Sequence, residues 1–471
     1  MVSIGEYQIL KCRDDHDPVV FFPIPDSPGG APSFKLKEGT SCSWVKSDDV
    51  FGTEKLRPRI EPWLTALLQS EHFALLVGSG LTHALHSMAT GGSLPGMSGG
   101  AIGVFDGEIT AEAKRSAAAA GRKEGNIEDR IRVANELLRG LQIVASTKDP
   151  SSELGKKIEM LMQGIERVLG EFASSILKGE TAIPSAPTEK RTQAFNYLVS
   201  FLMTFASRSG TRDRLQLFTT NYDRYIEVGA DLAGLRLIDR FVGTLEPVFR
   251  SSRLDVDMHY NPPGIRGEPR YLEGVARFTK LHGSIDWVDC ERTIRRIGLP
   301  FGAQDVAPYL KAPGLANAGA MQLMIYPNSA KDRETASHPY VELFRDFAAA
   351  VCRPNSTLIC FGYSFGDEHI NRVVEDMLTI PSAHLVVISR SDPLGRIIRT
   401  YDKLGRHAQV TLMIGSHLGD FKTLVDHYLP KPAIDRTTFR MAELLKARWG
   451  ADQFEPSAEG NKTVAPDSGT S

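Results

Sequence analysis

The chain has 471 residues, of which 42% are hydrophobic, and its formal net charge at pH 7 is −2. This length favours two or three domains or one large domain with insertions, and the near-neutral charge argues against direct binding to nucleic acid or to an anionic membrane. Neither a basic segment followed by an apolar core at the start nor an apolar run of roughly 20 residues is present, so we expect a cytoplasmic protein.

The five cysteines predict neither disulfides nor a metal centre. They lie at positions 12, 42, 290, 352 and 360, and none forms a Cys-x-x-Cys pair. This odd, dispersed set argues against a disulfide framework and a zinc ribbon. His83 and His86 lie one helical turn apart without a third ligand at a supporting spacing, so we interpret them as pocket-lining or surface residues.

The first part of the chain predicts a small N-terminal β-containing extension over residues 1–55. Residues 57–70 place apolar side chains at three- and four-residue spacing, which predicts a helix leading into a first core strand at residues 73–77. Glycines are dense between residues 90 and 107, which favours a mobile loop that we interpret as an active-site lid.

The rest predicts an α/β fold, a Rossmann-like doubly wound parallel sheet with a helical insertion at about residues 110–207. The insertion is broken at residues 182–188, where two prolines interrupt the helical pattern. After it, strand and helix signals alternate, including a strand at residues 323–326 and a helix at 418–429, as expected for a parallel sheet covered on both faces. The catalytic domain is predicted to span residues 56–430, and residues 431–471 to form one helix (438–449) and a disordered tail.

Four short segments combine a strand end with glycine or polar residues. They are Phe73-Ala-Leu-Leu-Val-Gly-Ser-Gly80, Phe218-Thr-Thr-Asn-Tyr-Asp223, Lys280-Leu-His-Gly-Ser284 and Ile359-Cys-Phe-Gly-Tyr-Ser-Phe-Gly-Asp367. In a doubly wound sheet such strand ends open the ligand crevice.

Each segment also has an ordinary explanation. Gly78-Ser79-Gly80 offers helix N-terminal amides to a diphosphate but equally suits a tight turn. Asn221 or Asp223 can simply cap the following helix. His282 alone is more often a packed or surface residue than a catalyst.

The fourth segment also fits a competing motif, because Gly362-Tyr-Ser-Phe-Gly366 matches the Gly-x-Ser-x-Gly nucleophile elbow. An α/β-hydrolase would use Ser364 as nucleophile, His417 as base and Asp392 as orienter. The short spacing from Ser364 to Asp392 disfavours this alternative, which also gives the second and third segments no role.

In order and chemistry, the four segments resemble the sirtuin family over roughly residues 70–430. The resemblance implies an NAD site in which Asn221, Asp223 and His282 are catalytic, with His282 as the general base toward the nicotinamide ribose. It implies cofactor contacts from Gly78, Ser79, Gly80, Thr82, Thr220, Gly362, Tyr363 and Ser364.

The chain departs from protein-deacylating sirtuins because it lacks their four-cysteine zinc module and carries helices instead. It therefore resembles the bacterial sirtuin-like NAD hydrolases of antiphage defence, which cleave NAD to nicotinamide and ADP-ribose. This resemblance implies NAD as substrate, no zinc, a homo-oligomer, and a partner such as a HerA-type ring ATPase, which we favour, or an Argonaute. A deacylase, an ADP-ribosyltransferase or a non-catalytic NAD or ADP-ribose sensor are alternatives for the same pocket.

Overall fold

The computed structural model describes residues 7–24, 32–94, 100–119, 125–147, 149–207, 213–252, 256–260, 270–290, 293–312, 314–315, 318–325 and 338–431. The predicted helix at residues 438–449, the tail and the centre of the glycine-rich loop lie outside these residues. In the part of the chain that the structure describes, no helix is both long and apolar enough to cross a membrane.

The structure describes seventeen strands and eleven α-helices. The strands are β1 (Gln8–Lys11), β2 (Val19–Pro23), β3 (Ser33–Leu36), β4 (Val50–Gly52), β5 (His72–Val77), β6 (Leu215–Thr219), β7 (Arg236–Ile238), β8 (Phe241–Val242), β9 (Val248–Phe249), β10 (His259–Tyr260), β11 (Arg270–Tyr271), β12 (Val275–Lys280), β13 (Trp287–Cys290), β14 (Thr293–Arg296), β15 (Ser356–Phe361), β16 (His384–Ser389) and β17 (Val410–Ile414). The helices are α1 (Thr53–Leu68), α2 (Ser79–Thr90), α3 (Asp106–Ala119), α4 (Ile127–Ala145), α5 (Glu153–Ala182), α6 (Thr188–Ala206), α7 (Tyr225–Ala233), α8 (Tyr340–Val351), α9 (Glu368–Leu378), α10 (Arg396–Leu404) and α11 (Phe421–Thr423).

A mostly parallel sheet organises the molecule, as predicted. Its strand order is β4-β3-β2-β1-β17-β16-β15-β5-β6-β12-β7, and every pair from β17 to β7 is parallel. Within it, β5, β6 and β12 run outward on one side and β15, β16 and β17 on the other, which is the strand order of a dinucleotide-binding fold. The chain reverses its winding between β5 and β15, so the ligand crevice is expected at the carboxyl ends of these two strands.

The central strands are continuous apolar runs because both faces of the sheet are covered. All six residues of β15 are buried, and so are the last five of β5. Strands buried on both faces lose the alternation of apolar and polar residues that a half-exposed sheet shows. The predicted strands at these two positions are confirmed.

The N-terminal strands extend the same sheet. β1 pairs antiparallel with β17, with Ile9 opposite Ile414, and β2, β3 and β4 follow outward as antiparallel neighbours. The rings of Phe21, Phe34 and Phe51 pack together, with centroids 5.2–6.0 Å apart. The β-containing extension therefore adds its apolar face to the main core.

The helical insertion consists of α3, α4, α5 and α6. Asn126 and Asp129 form a reciprocal capping box at the start of α4, and Ser152 caps α5. The buried faces of α3, α4 and α5 form a core of their own that also includes Tyr222 and Ile285. This shared core holds the insertion against the loops that follow β6 and β12.

Two predicted elements differ from the structure. The strand predicted at residues 323–326 is not formed over the described residues 323–325, where Leu323 makes an isolated bridge to Val288 after a 3-10 turn at Ala320–Gln322; Tyr326 lies outside the described residues. The helix predicted at residues 418–429 is helical over residues 421–428, but it is shorter than predicted and consists of α11 followed by a π-helical turn at Leu424–Tyr428. In both segments the apolar side chains are buried by distant elements, which a local pattern does not reveal.

Candidate functional site

The turn after β5 and the turn after β15 interlock at the crevice. Gly78 N donates to Phe361 O at 2.9 Å, and Gly80 N donates to Gly362 O at 3.0 Å. A Cβ on Gly80 would lie 2.5 Å from the Cα of Gly362, which itself has a φ of +63°. Glycine is needed here because the two backbones touch. The N–H groups of Gly78 and Gly80 therefore serve the turns, and neither residue lines the cavity beside them.

A cavity of about 310 Å³ opens at this crevice. All the other residues proposed for the site line it, namely Ser79, Thr82, Thr220, Asn221, Asp223, His282, Gly362, Tyr363 and Ser364. Segments separated by up to almost 300 residues in sequence thus meet at one concave surface, as expected for a ligand site.

The Asn221 side chain is fixed with its oxygen toward the cavity. Its Nδ2 donates to Gly78 O and to Thr82 Oγ1, both at 3.0 Å. A carbonyl oxygen only accepts, so the contact with Gly78 identifies the nitrogen side of the amide. Both amide hydrogens are used, and among the described residues no donor contacts Oδ1. Asn221 therefore presents an acceptor to whatever occupies the cavity.

Asp223 is connected to Asn221 through the Thr82 hydroxyl. Thr82 donates its hydroxyl hydrogen to Asp223 Oδ2 at 2.6 Å, which leaves the Thr82 oxygen to accept from Asn221. Tyr225 N also donates to Asp223, at 3.3 Å, so the carboxylate caps α7 as well. Burial raises the pKa of Asp223, and the nearby Lys280 ammonium opposes that rise.

His282 lies on the same cavity wall, in the turn that follows β12. Its Nε2 is 4.0 Å from Asp367 Oδ1, and the residue is buried. Gly283 takes a φ of +92° and packs against the Met324 backbone, where a Cβ would clash. The turn is tied to the Asn221 segment, because Ile285 N donates to Tyr222 O at 3.0 Å. Asn221 and His282 are thus held in one unit.

The serine hydrolase alternative is wrong. Asp392 accepts hydrogen bonds from Arg396 N and Ile398 N at the start of α10. His417 pairs with the Tyr428 hydroxyl at 2.7 Å, and neither Asp392 nor His417 lines the cavity that Ser364 lines. The positive φ angles of this turn belong to Gly362 and Phe365, whereas a nucleophile elbow places its strain on the serine.

Several residues on the cavity wall were not singled out from the sequence. They include Glu128 of α4, Phe172 of α5, Asp367 before α9 and Arg396 at the start of α10. The capping box around Glu128 is legible in the sequence, and Asp367 ends the fourth segment. Their approach to Asn221 depends on how the insertion and α10 pack, and no local pattern shows that.

Glu128 has an unusual electrostatic setting. The Tyr222 hydroxyl donates to Glu128 Oε1 at 2.7 Å. Burial raises the pKa of Glu128, His282 acts in the opposite direction, and Asp367 adds to the rise. His282 and Asp367 therefore act in opposite directions on the pKa of Glu128.

His83 lines the cavity, whereas His86 is buried beside it. Among the described residues, no group of three or more His, Cys, Asp or Glu side chains is arranged to hold a metal ion. All five cysteines are free thiols, and Cys12 and Cys360 are buried in the core.

A protein-family model matches the region from β6 to beyond α10. Residues 216–408 match the SIR2-like domain family. The match covers less than half of the chain, and it includes Asn221, His282 and Ser364 but not the Gly78–Gly80 turn or the insertion. No curated protein matches this chain. The SIR2-like region, together with the dinucleotide-binding strand order, connects the cavity to NAD-related chemistry.

Proposed function

We propose that this protein is an NAD glycohydrolase that cleaves the bond between nicotinamide and ribose. The observation that carries the proposal is the orientation of Asn221, whose free acceptor faces a cavity shared with His282 at a dinucleotide crevice. The SIR2-like match at residues 216–408 supports NAD as the substrate.

The hydrolysis of NAD requires the protein mainly to position the substrate and a water molecule. When the C1′–N bond breaks, the electron pair stays with the cationic ring, and nicotinamide leaves neutral. The ribose becomes an oxocarbenium-like cation, water adds to C1′, and one proton is lost, giving ADP-ribose. Asn221 Oδ1 would accept a hydrogen bond from the water or a ribose hydroxyl, and His282 would accept the proton.

Other residues of the cavity wall suit the rest of the dinucleotide. Ser79, at the first turn of α2, and Ser364 offer hydroxyls beside a helix N-terminus, where phosphate groups bind well. The Arg396 guanidinium lies next to the Gly366 backbone on the same wall. These groups would hold the diphosphate and the adenosine ribose while the nicotinamide ribose reaches Asn221.

We also propose a biological role by resemblance to sirtuin-like defence enzymes. An unrestrained cytoplasmic NAD hydrolase would be lethal, so we propose an NAD-depleting antiphage effector held in check by self-assembly or by a partner such as a HerA-type ring ATPase. We propose that it works without zinc, because the dispersed cysteines provide no ligand set. Elemental analysis that finds about one zinc per chain would contradict this.

The deciding experiment follows nicotinamide and ADP-ribose by chromatography after the protein, alone and assembled with its partner, is mixed with NAD. Asn221→Ala should lower turnover by about 100-fold or more, and His282→Ala should do the same. Asn135→Ala on α4 is the matched control, because Asn135 lies off the cavity wall and its Nδ2 has no partner among the described residues. Undiminished cleavage by the Asn221→Ala protein, or binding of NAD without any nicotinamide release, would overturn the proposal.

A further inference from the structure

Glu128 is a carboxylate that the insertion delivers into the cavity. It is the second residue of α4 and lies on the cavity wall. Tyr222 holds its Oε1 at 2.7 Å, and the Asn126 amide lies 3.4 Å from its Oε2. Two donors from different segments thus hold the carboxyl group in place.

The helix does not need Glu128 for its own start. The capping box of α4 is made by Asn126 and Asp129, each bonding the other's backbone N–H at 2.9 Å. A glutamate in the first turn of a helix is ordinarily solvated and interacts weakly with the helix dipole. Glu128 instead points at the cavity and bonds a buried tyrosine.

Glu128 is linked to the segments that carry Asn221 and His282. Tyr222 directly follows Asn221, and its ring packs edge-on against Phe172 at 5.8 Å. Tyr222 O accepts from Ile285 N in the turn that carries His282, and Glu128, Asn221 and His282 line the same cavity. Through Tyr222, Glu128 is thus held to both segments whose side chains would face the nicotinamide ribose.

The other acidic residues on the cavity wall each contact a neighbouring side chain or backbone group. Asp129 belongs to the capping box, and Asp223 is bonded by Thr82 and lies near Lys280. Asp367 lies 4.0 Å from His282 Nε2. Among the acidic residues of the wall, Glu128 is the one that comes from the insertion and takes no part in the capping box of α4.

We propose that Glu128 selects the oxidised dinucleotide, because its carboxylate faces the positively charged nicotinamide ring of NAD⁺, which NADH lacks. The inference rests on the proposed function, since it assumes that the nicotinamide end lies beside Asn221 and His282. An opposite charge a few ångströms away in a partly desolvated site gives a substantial preference. The two dinucleotides are otherwise alike in diphosphate and adenosine, so the preference isolates the ring.

The test measures binding, not turnover. The probes are the carbocyclic analogue of NAD⁺, which keeps the charged ring but is not cleaved, and NADH, both titrated into the full-length protein by calorimetry. The wild-type protein should bind the analogue about tenfold tighter than NADH, and Glu128→Gln should remove most of that preference by weakening the analogue alone. Glu128→Asp, which keeps the charge, should retain part of the preference for the analogue. Glu136→Gln, an exposed site on the same helix, should leave both affinities unchanged.

The outcomes separate this inference from the proposed function. If Glu128→Gln keeps the wild-type preference, or if the wild-type protein has none, Glu128 has no selective role, although nicotinamide release would still stand. If neither dinucleotide binds, the proposed function and the inference both fail. Circular dichroism of each variant excludes misfolding as the cause, and the intact capping box makes a folded Glu128→Gln protein the expected result.

Discussion

Ser364 is the residue at which two interpretations of the fourth segment diverge. In the proposed NAD glycohydrolase Ser364 would be a contact for the dinucleotide, so Ser364→Ala should raise the KM for NAD by roughly two- to twelve-fold, the effect of one lost hydrogen bond, and leave kcat almost unchanged. Steady-state kinetics across a range of NAD concentrations measures both constants. A loss of kcat without a change in KM, or labelling of Ser364 by a fluorophosphonate, would show that the serine takes part in chemistry instead.

His417 makes a pH-dependent contribution to stability that is unrelated to the cavity. Burial lowers its pKa from 6.5 to about 4, so the unfolded chain binds a proton more readily than the folded one. The contribution of His417 to the free energy of unfolding should therefore be fully present above pH 6.5. It should decrease as the pH drops toward 4, by at most about 3 kcal/mol. His384 has a pKa lowered to about 4 by burial and adds to the same trend.

The variant His417→Gln isolates this effect, because it has no group that titrates in that range. The difference in the free energy of unfolding between pH 7 and pH 4.5, from urea denaturation, should be smaller in the variant than in the wild-type protein. His384 and the carboxylates are common to both proteins and cancel. Equal differences would mean that His417 is protonated in the folded protein as easily as in the unfolded one.

Among the elements, α5 is joined by a buried ion pair to the segment that follows β6. Arg224 Nη2 donates to Glu180 Oε2 at 2.6 Å, and Arg224 N donates to Glu180 Oε1 at 2.8 Å. Glu180 is fully buried. Arg224 directly follows Asp223, so this pair fixes the end of α5 to the segment that carries Asn221.

Glu180→Gln should lower the free energy of unfolding by about 3 kcal/mol, because it leaves the Arg224 charge buried without its partner. Glu171→Gln on the same helix is the matched control, since the Arg167–Glu171 pair is exposed on both sides and such pairs contribute at most about 1 kcal/mol. Chemical denaturation of the two variants gives both values. Similar small losses in both would show that the buried pair is not what holds α5 to this segment.

The sequence predicted those elements whose pattern is local. The runs that became β5 and β15 are apolar throughout, and α4 and α5 show helical spacing with capping residues, so their type could be read directly. The pairing of β1 with β17 could not, because the partner strands are about 400 residues apart. The same limit applies to the site: Asn221 and His282 follow predicted strands, whereas Glu128 reaches them only through the packing of the insertion.

For the whole molecule, the helical insertion bears on assembly as well as on the cavity. Four large apolar side chains near the turn between α4 and α5 are 41–60% exposed, namely Ile143, Val144, Met160 and Met162. Their helices already bury a separate apolar face in the insertion core, and these four side chains remain exposed in the part of the chain that the structure describes. We propose that the protein is a homo-oligomer that uses this surface, since exposed apolar groups on two helices that pack together favour contact with another protein surface.

Light scattering of the wild-type protein at micromolar concentration should then report a mass above the 51.7 kDa of one chain. The double variant Ile143→Lys with Val144→Lys should shift the mass toward the monomer, because association would bury two charges. Its fold should persist, since both positions are exposed. Leu394→Lys, at an exposed apolar position outside the insertion, is the control and should leave the mass unchanged. A wild-type protein that is monomeric, both alone and with its partner, would refute the oligomer. An unchanged mass in the double variant would show that the interface does not use these two residues of the insertion.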